Sequence, residues 1–432
     1  MNPPSTSLRD NLITLMASLI LLVGLALALT RSSEPRPGLD GLDALLAMDR
    51  FDEVERRLNG YLAEHPESAQ ARVLMAQVAL ARPENNPRLA LEQLGKIATS
   101  DDSIRAIVRL NEGKAYSSLG LLELAEAAWI DALRKDPLVP EAGWALLGLY
   151  YVEERREEAR RLGLALHTIE PDPKDRVQLL LELVRQDARP IVASEIIRTL
   201  EPAVREHPDE IKASEALARA YLRDNRPDEG LSILQRLVER SPDDPAAWKS
   251  WLDGLEQAAR PEELALTFER LPAKLVDDPR FALFQGIISQ NRGDWSQAAH
   301  QYLRARASDP TSTPVLYRLV RAFRIAGQTE EADRLDIELQ ARNASFSEIL
   351  PLYNRANQIK DLGLSPNIDL YRSLADVRER MGHEAEALAW HRLILKQTPG
   401  NLASRTALDR LTDARMPNLR EILEEMPPFR SP

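Results

Sequence analysis

Residues 113–137 read GKAYSSLGLLELAEAAWIDALRKDP, and the spacing of small, aromatic and proline residues within this stretch decides the fold. The order is glycine, tyrosine, glycine, alanine, tryptophan, alanine and proline, with gaps of 3, 4, 5, 4, 3 and 5 residues between them. The seven positions are Gly113, Tyr116, Gly120, Ala125, Trp129, Ala132 and Pro137.

The same gaps recur further along the chain, with some residue types exchanged, so the sequence is built from repeats. One copy consists of Gly286, Ser289, Gly293, Ala298, Tyr302, Ala305 and Pro310. Another consists of Ala375, Arg378, Gly382, Ala387, His391, Ile394 and Pro399. A weaker copy consists of Ala218, Tyr221, Asn225, Gly230, Leu234, Leu237 and Pro242.

Each copy is predicted to form two antiparallel helices joined by a short turn. The first helix carries an apolar stripe, as at Trp144, Leu147 and Tyr151, which are spaced i, i+3 and i+7. Early in the second helix a small residue such as Ala298 permits close approach, and Tyr302 four positions later fills the gap to the neighbour. Because one hairpin cannot bury its own apolar face, the copies are expected to stack into an all-α solenoid.

This spacing resembles that of the tetratricopeptide repeat family over residues 39–400. The resemblance implies a right-handed α-solenoid of about ten helix-turn-helix repeats. The unit-closing residues recur at intervals of 31 to 37 residues until a final interval of 89 residues. They are Pro66, Asp102, Pro137, Pro171, Pro208, Pro242, Pro279, Pro310 and Pro399.

The array has irregular units and a predicted end. An insertion at 82–87 separates the helices of the second unit, and the final long interval contains an irregular helical stretch at 346–362. Residues 401–415 are predicted to form a capping helix, and 416–432 a C-terminal tail. The predicted repeat-core residues are Gly113, Tyr116, Ala125, Trp129, Trp144, Tyr151, Tyr221, Gly286, Ala298, Tyr302 and Ala387.

The segment that precedes the repeats has the composition of a membrane span. Residues 12–30 read LITLMASLILLVGLALALT and carry no charge. A helix of this length spans about 28 Å, close to the thickness of a bilayer's hydrocarbon core. We therefore predict a tail at 1–11, a transmembrane helix at 12–30 and a polar linker at 31–38. The alternative is a signal peptide, because residues 26–28 read ALA, a small-x-small cleavage site.

The side of the membrane that holds the repeats stays open. Arg9 precedes the predicted span, and Arg31 and Arg36 follow it, so the positive-inside rule does not decide the orientation. Arginine-rich usage is typical of a GC-rich bacterium, and we predict a single-pass protein of the bacterial inner membrane. An extracytoplasmic repeat domain is the favoured arrangement.

The composition disfavours most kinds of chemistry. The 432 residues include no cysteine, which excludes disulfides, thiol nucleophiles and cysteine-ligated metals. A net charge of −11 disfavours a role in binding nucleic acid. The sequence has no HExxH, GxxxxGK[ST], GxGxxG or GxSxG motif. We therefore expect no enzyme activity, cofactor or metal site, with an enzyme centred on the irregular stretch 345–366 as an alternative.

In tetratricopeptide arrays the first helices line a groove that takes peptide segments of partners, and the resemblance implies the same here. Basic residues fall at the corresponding positions, and guanidinium groups suit carboxylates, so an acidic segment is the predicted ligand. The competing interpretation is that Glu215, Asp253 and Asp376 neutralise these charges. The predicted groove residues are Lys212, Arg219, Arg223, Lys249, Arg280, Arg318, Arg321, Arg324 and Arg372.

The sequence thus predicts a non-enzymatic, membrane-anchored scaffold that binds protein segments. Two alternatives differ in the setting. One is an accessory subunit of a membrane enzyme, secretion or envelope-assembly complex. The other is a secreted repeat protein after signal-peptide cleavage.

Overall fold

The computed structural model describes residues 39–361 and 367–426. The predicted tail, span and linker at 1–38 lie outside the described residues, as do 362–366 and 427–432. Within the described ranges, no helix combines the length and the apolar composition that crossing a bilayer requires.

The described residues form α-helices and one 3-10 turn, at Pro279–Phe281. The helices of the first half are α1 Leu42–Ala47, α2 Phe51–Glu64, α3 Ala69–Ala81, α4 Pro87–Gly95, α5 Asp102–Ser118, α6 Leu122–Lys135, α7 Pro140–Val152, α8 Arg156–Ile169, α9 Pro173–Ala188, α10 Ala193–Glu206, α11 Ile211–Arg223 and α12 Pro227–Arg240. Those of the second half are α13 Pro245–Gln257, α14 Pro261–Glu269, α15 Ala273–Val276, α16 Ala282–Asn291, α17 Trp295–Ser308, α18 Thr313–Ile325, α19 Thr329–Asp361, α20 Ile368–Arg380, α21 Glu384–Gln397, α22 Leu402–Arg410 and α23 Leu419–Glu425.

The helices group into two compact units. The first comprises the described parts of Met1–Pro173 and Pro417–Pro432 together with Glu195–Ser214. The second comprises Lys174–Ser194 and Glu215–Met416. In both, consecutive helices pack as hairpins, as α5 does on α6 in the first unit and α16 on α17 in the second. The prediction of an all-α array of helical repeats is confirmed, while its superhelical hand stays a prediction.

The turns inside the hairpins lie at the predicted landmark residues. Gly120, Gly293 and Gly382 have φ values of 77°, 81° and 87°, in the left-handed region. Glycine adopts this region without strain because it has no Cβ. Asn225 holds the same place between α11 and α12 with φ 59°, and asparagine is the residue that tolerates this conformation next best. The backbone geometry therefore explains the predicted turn residues.

In the first unit, a glycine and a tryptophan hold one hairpin together. A Cβ at Gly113 would lie 2.3 Å from Nε1 of Trp129, so the indole occupies the space that any other residue would fill. Nε1 of Trp129 donates to the carbonyl of Leu110 at 3.2 Å. Trp129 is 1% exposed. Tyr116 on α5 and Ala125 on α6 are buried as well.

The second unit repeats this arrangement with a tyrosine. A Cβ at Gly286 would lie 2.4 Å from Cε1 of Tyr302. The hydroxyl of Tyr302 donates to Oε1 of Gln290 at 3.0 Å. The two pairs lie at equivalent positions of their repeats. The spacing between the glycine of the first helix and the aromatic residue of the second therefore reflects how the two helices pack. Ala298, Tyr221 and Ala387 are buried as well.

Helix α7 departs from the predicted core. Trp144 and Tyr151 are only half-buried, whereas Tyr150 and Leu146 are fully buried. The helix reads PEAGWALLGLYYV and is apolar on nearly every side, so its sequence does not mark the face that packs inward. The hydroxyl of Tyr150 donates to Oε1 of Glu126 at 3.1 Å, which gives this buried phenol its partner.

The stretch predicted as irregular at 346–362 begins inside one continuous helix, α19, which runs from Thr329 to Asp361 and contains Pro351. Arg342 is buried near the middle of this helix. Its guanidinium donates to the carbonyls of Pro310 and Thr311, each at 2.8 Å. These contacts join α19 to the segment that follows α17.

The end of the described chain contains two short helices. α22 lies within the segment predicted as a cap, and Leu411 after it packs with Ala387 and Leu388 of α21. α23 lies in the segment predicted as a tail, and it packs on α6 and α8. It buries Leu419, Ile422 and Leu423. The i, i+3, i+4 spacing of these three residues is the sequence signal that indicates this helix.

Candidate functional site

The predicted basic groove residues lie on or beside α11, α13, α16, α18 and α20, which are first helices of hairpins. Lys212 belongs to the first unit, and the other eight belong to the second. Most of them contact a carboxylate or a carbonyl of the chain itself, so their charges are largely compensated within the fold.

Lys212 joins a buried ionic cluster in the first unit. Its Nζ lies 2.7 Å from Oε2 of Glu126, and the guanidinium of Arg155 lies 2.8 Å from Oε1 of the same carboxylate. Burial alone would raise the pKa of Glu126, but Arg155 and Lys212 outweigh it and hold that pKa below its ordinary value. Arg155 also contacts Glu153 at 3.0 Å. Lys212 therefore serves as an internal counter-ion.

Glu153 makes the stability of this cluster depend on pH. Burial raises its pKa to about 7, with Glu126 adding to the rise and Arg155 and Lys212 opposing it. Between about pH 4.5 and 7, the folded chain therefore holds a proton that the unfolded chain releases. The free energy of unfolding should accordingly fall as pH rises through this window, and less steeply in Glu153→Gln.

Urea titrations of the wild type and the Glu153→Gln variant at several pH values measure this difference. Glu154→Gln, a change at the neighbouring carboxylate in the turn, is the matched control. Parallel pH profiles for the wild type and Glu153→Gln would contradict the assignment.

Three further groove residues pair within their own helix or turn. Nζ of Lys249 lies 2.6 Å from Oδ2 of Asp253, as the competing interpretation predicted. Arg280 pairs with Asp278, whose pKa it holds below the ordinary value. Arg372 pairs with Asp369. Such short-range pairs leave little net positive charge at these positions.

The predicted groove arginines of α11 also lie near polar groups of the chain. The pKa of Glu215 is raised by burial, while Ser250, Arg219 and Lys249 favour its ionised form. The guanidinium of Arg223 donates to the carbonyl of Ile191 at 3.5 Å. Both arginines of this helix therefore interact with groups of the chain itself.

On α18, two of the three arginines are paired. Arg318 pairs with Glu256 of α13. Arg324 lies 3.3 Å from Asp336 and 3.5 Å from Asp333. These pairs compensate much of the charge on α18, and the continuous basic groove stays a prediction.

Arg321 is the arginine of α18 without an ion pair among the described residues, and it lies at the middle of the candidate site. Its guanidinium carbon lies 5.5 Å from the ring centroid of Trp295, a cation–π distance. Within the described residues it has no ion-pair partner. Tyr317, one turn earlier, is 55% exposed, and Ile325, one turn later, is 50% exposed. We call Tyr317, Arg321 and Ile325 the α18 stripe.

The described residues contain no group of three or more acidic or histidine side chains arranged to hold a metal ion. His391, which stands at the large core position of its repeat, is buried, and its Nδ1 lies 3.2 Å from the hydroxyl of Ser404. Burial lowers its pKa, so it packs as a neutral imidazole.

Comparison with known proteins identifies the repeat type in part of the chain. Residues 193–252, which contain α10 to α12 and the start of α13, match the family model described as tetratricopeptide repeat. The predicted family resemblance is confirmed for this segment. No curated protein sequence matches the chain.

Two solved structures are similar at low identity. A tetratricopeptide repeat protein from Parabacteroides merdae is 14% identical, over 71% of this chain and 99% of that one, with a TM-score of 0.29. The APC/C hetero-tetramer Cut9–Hcn1 is 13% identical, over 94% of this chain and 96% of that one, also with a TM-score of 0.29. At TM-scores this low, the two likenesses add nothing to what the chain's own helices show.

Proposed function

We propose that this chain is a non-enzymatic, membrane-tethered scaffold whose helical repeats bind peptide segments of protein partners. The tetratricopeptide match at 193–252 and the stacked hairpins on both sides of it support this class of function. The observation that carries the proposal is the α18 stripe, an exposed row of aromatic, cationic and aliphatic side chains on the first helix of a hairpin.

The residue types of the α18 stripe suit a binding surface. Tyrosine and arginine are enriched among residues that dominate interface energies, and Tyr317 is 55% exposed. Arg321 lies against the face of Trp295, and stacking of this kind leaves guanidinium N–H groups able to reach a carboxylate. The proposed ligand is therefore a segment that combines an acidic residue with apolar neighbours.

The proposed tether is the apolar segment 12–30. Anchoring would confine the repeats near a membrane and raise the effective concentration of partners there. The intact mass of the mature protein separates an uncleaved anchor from a signal peptide cleaved after residue 28. Protease protection of a C-terminally tagged chain in spheroplasts then reports the side of the membrane.

The double variant Tyr317→Ala, Arg321→Glu is expected to lower partner capture more than tenfold, because it removes a hot-spot aromatic and reverses the unpaired charge. Arg318 is left intact, since its pairing with Glu256 makes it part of the fold. Quantitative mass spectrometry of proteins that co-purify with the full chain measures the change.

Arg392→Glu is the matched control, because Arg392 is an exposed arginine on a second helix, α21. It should leave capture unchanged. Undiminished capture by the double variant, with its urea midpoint intact, would overturn the assignment of the binding site.

A further inference from the structure

One position of the repeat indicates a second candidate binding surface. Seven residues before a unit-closing residue, the second helix holds Ile130 before Pro137, Leu164 before Pro171 and Leu303 before Pro310. Ile337 follows Leu303 by one 34-residue repeat. In the other units this position holds a polar residue, glycine or proline, namely Asn59, Gly95, Glu201, Gln235, Pro272 and Arg392.

In the first unit, the two apolar residues at this position belong to helices that a third helix covers. Ile130 and Leu164 are 3% and 4% exposed. Their helices, α6 and α8, are the two on which α23 packs with its Leu419, Ile422 and Leu423 face.

Two arginines fix α23 on this surface. Nε of Arg134, on α6, donates to the carbonyl of Leu423 at 3.2 Å, at the helix C-terminus where carbonyls lack partners. The guanidinium of Arg161, on α8, lies 2.7 Å from Oε2 of Glu425. A short amphipathic helix is thus held by apolar contact and by a charge at its C-terminal end.

The second unit presents apolar residues at the same repeat position, and among the described residues no helix covers them. Leu303 on α17 is 44% exposed and Ile337 on α19 is 72% exposed. The two helices are neighbours, because Arg306 and Glu338 form an ion pair of 2.7 Å between them. Arg334 precedes Ile337 by three residues, as Arg161 precedes Leu164, and it is exposed with no ion pair within the described residues. We call Leu303, Arg334 and Ile337 the α17–α19 patch.

We propose that the α17–α19 patch binds a short amphipathic helix of a partner protein. The helix would carry apolar residues at i, i+3 and i+4, as α23 does at Leu419, Ile422 and Leu423, and a carboxylate two residues later for Arg334. A partner is the proposed occupant because α23 already lies in the first unit. The unpaired guanidinium supplies the charge complementarity.

The test uses a fluorescent peptide with the sequence of residues 418–426, NLREILEEM, as the probe. A lactam bridge between positions 420 and 424, with the change R420K, holds the short peptide helical. These positions are chosen because Arg420 and Glu424 are exposed on α23. Fluorescence anisotropy measures its binding to the full chain, and the I422D, L423D peptide is the negative control.

We expect saturable binding to the wild type and at least a tenfold higher Kd for the Leu303→Asp, Ile337→Asp variant. Gln235→Asp, at the equivalent position of α12, should bind as the wild type does. Arg334→Glu should weaken binding, and more so at low salt. The Tyr317→Ala, Arg321→Glu variant should bind the probe normally, which separates this surface from the α18 stripe.

Two results would overturn the proposal. One is probe binding that is absent or insensitive to Leu303→Asp, Ile337→Asp. The other is a dimer in sedimentation velocity that this same variant dissociates, because the patch would then be occupied by a second copy of the chain.

Discussion

Replacing Arg378 with methionine is expected to lower the free energy of unfolding by about 3–5 kcal/mol, because it removes the shared cation of two buried carboxylates. Arg378 is fully buried. Its Nε and Nη2 donate to the carboxylate of Glu386 at 2.7 and 2.9 Å. Its Nη1 donates to Oδ2 of Asp187 at 2.6 Å.

The partners come from three helices, and their burial makes the effect large. Asp187 lies on α9, whereas Arg378 and Glu386 lie on α20 and α21, all within the second unit. Methionine keeps much of the length of arginine but offers neither carboxylate a hydrogen bond. Both acids would then stay charged in an apolar setting or take up protons, and either response costs stability.

Urea unfolding of the full chain measures this loss. Arg380→Met is the matched control, because Arg380 sits on the same helix and pairs with Glu348 at the exposed surface. Exposed pairs contribute at most about 1 kcal/mol, so the control should change little. The double variant Arg378→Met, Glu386→Met should recover part of the loss by removing one of the two carboxylates that lose the guanidinium. Equal losses in Arg378→Met and Arg380→Met would contradict the account.

Replacing Trp129 with alanine is expected to cost about 3–5 kcal/mol, the usual range for emptying the site of a buried large aromatic residue. The indole fills the space against Gly113 and donates to the carbonyl of Leu110, so alanine leaves a cavity and removes that hydrogen bond. Gly113→Ala alone should cost about 1–3 kcal/mol, because its Cβ meets the same indole.

A double variant tests this interlocking directly. Gly113→Ala combined with Trp129→Leu should cost less than the sum of the two single changes, because the smaller side chain makes room for the new Cβ. Gly60→Ala is the control, since Gly60 lies within α2 with no atom within 4 Å of its added Cβ. Gly60→Ala should stabilise the helix by up to about 1 kcal/mol. Additive costs at positions 113 and 129 would show that the two side chains do not share one space.

The spacing of landmark residues was enough to predict the hairpins because those residues act locally. Gly120 and Gly293 lie at left-handed turns, and Gly113 and Gly286 accept the rings of Trp129 and Tyr302. Each of these contacts joins two neighbouring helices. Short-range periodicity carries that information, and it also marks α23, whose three apolar residues share one face.

Contacts between segments that are distant in sequence could not be predicted from the repeat spacing. Arg378 stands where other repeats carry tyrosine or serine, and nothing in its own repeat indicates that Asp187 is its partner. The charge balance at the predicted basic groove was not foreseeable for the same reason, since Lys212 pairs with Glu126 and Arg318 with Glu256. Sequence position predicted which helix carried a charge, but the pairing depends on how the hairpins stack.

Photo-crosslinking from position 317 tests the scaffold account most directly, because the probe reports contact at the residue itself. Benzoylphenylalanine replaces Tyr317 in the full chain, expressed in living cells, and adducts are identified by mass spectrometry. The account predicts an adduct with another protein that disappears when Arg321→Glu is added and is absent when the probe stands at position 392. No adduct from position 317 above that at position 392, or an adduct unaffected by Arg321→Glu, would contradict it.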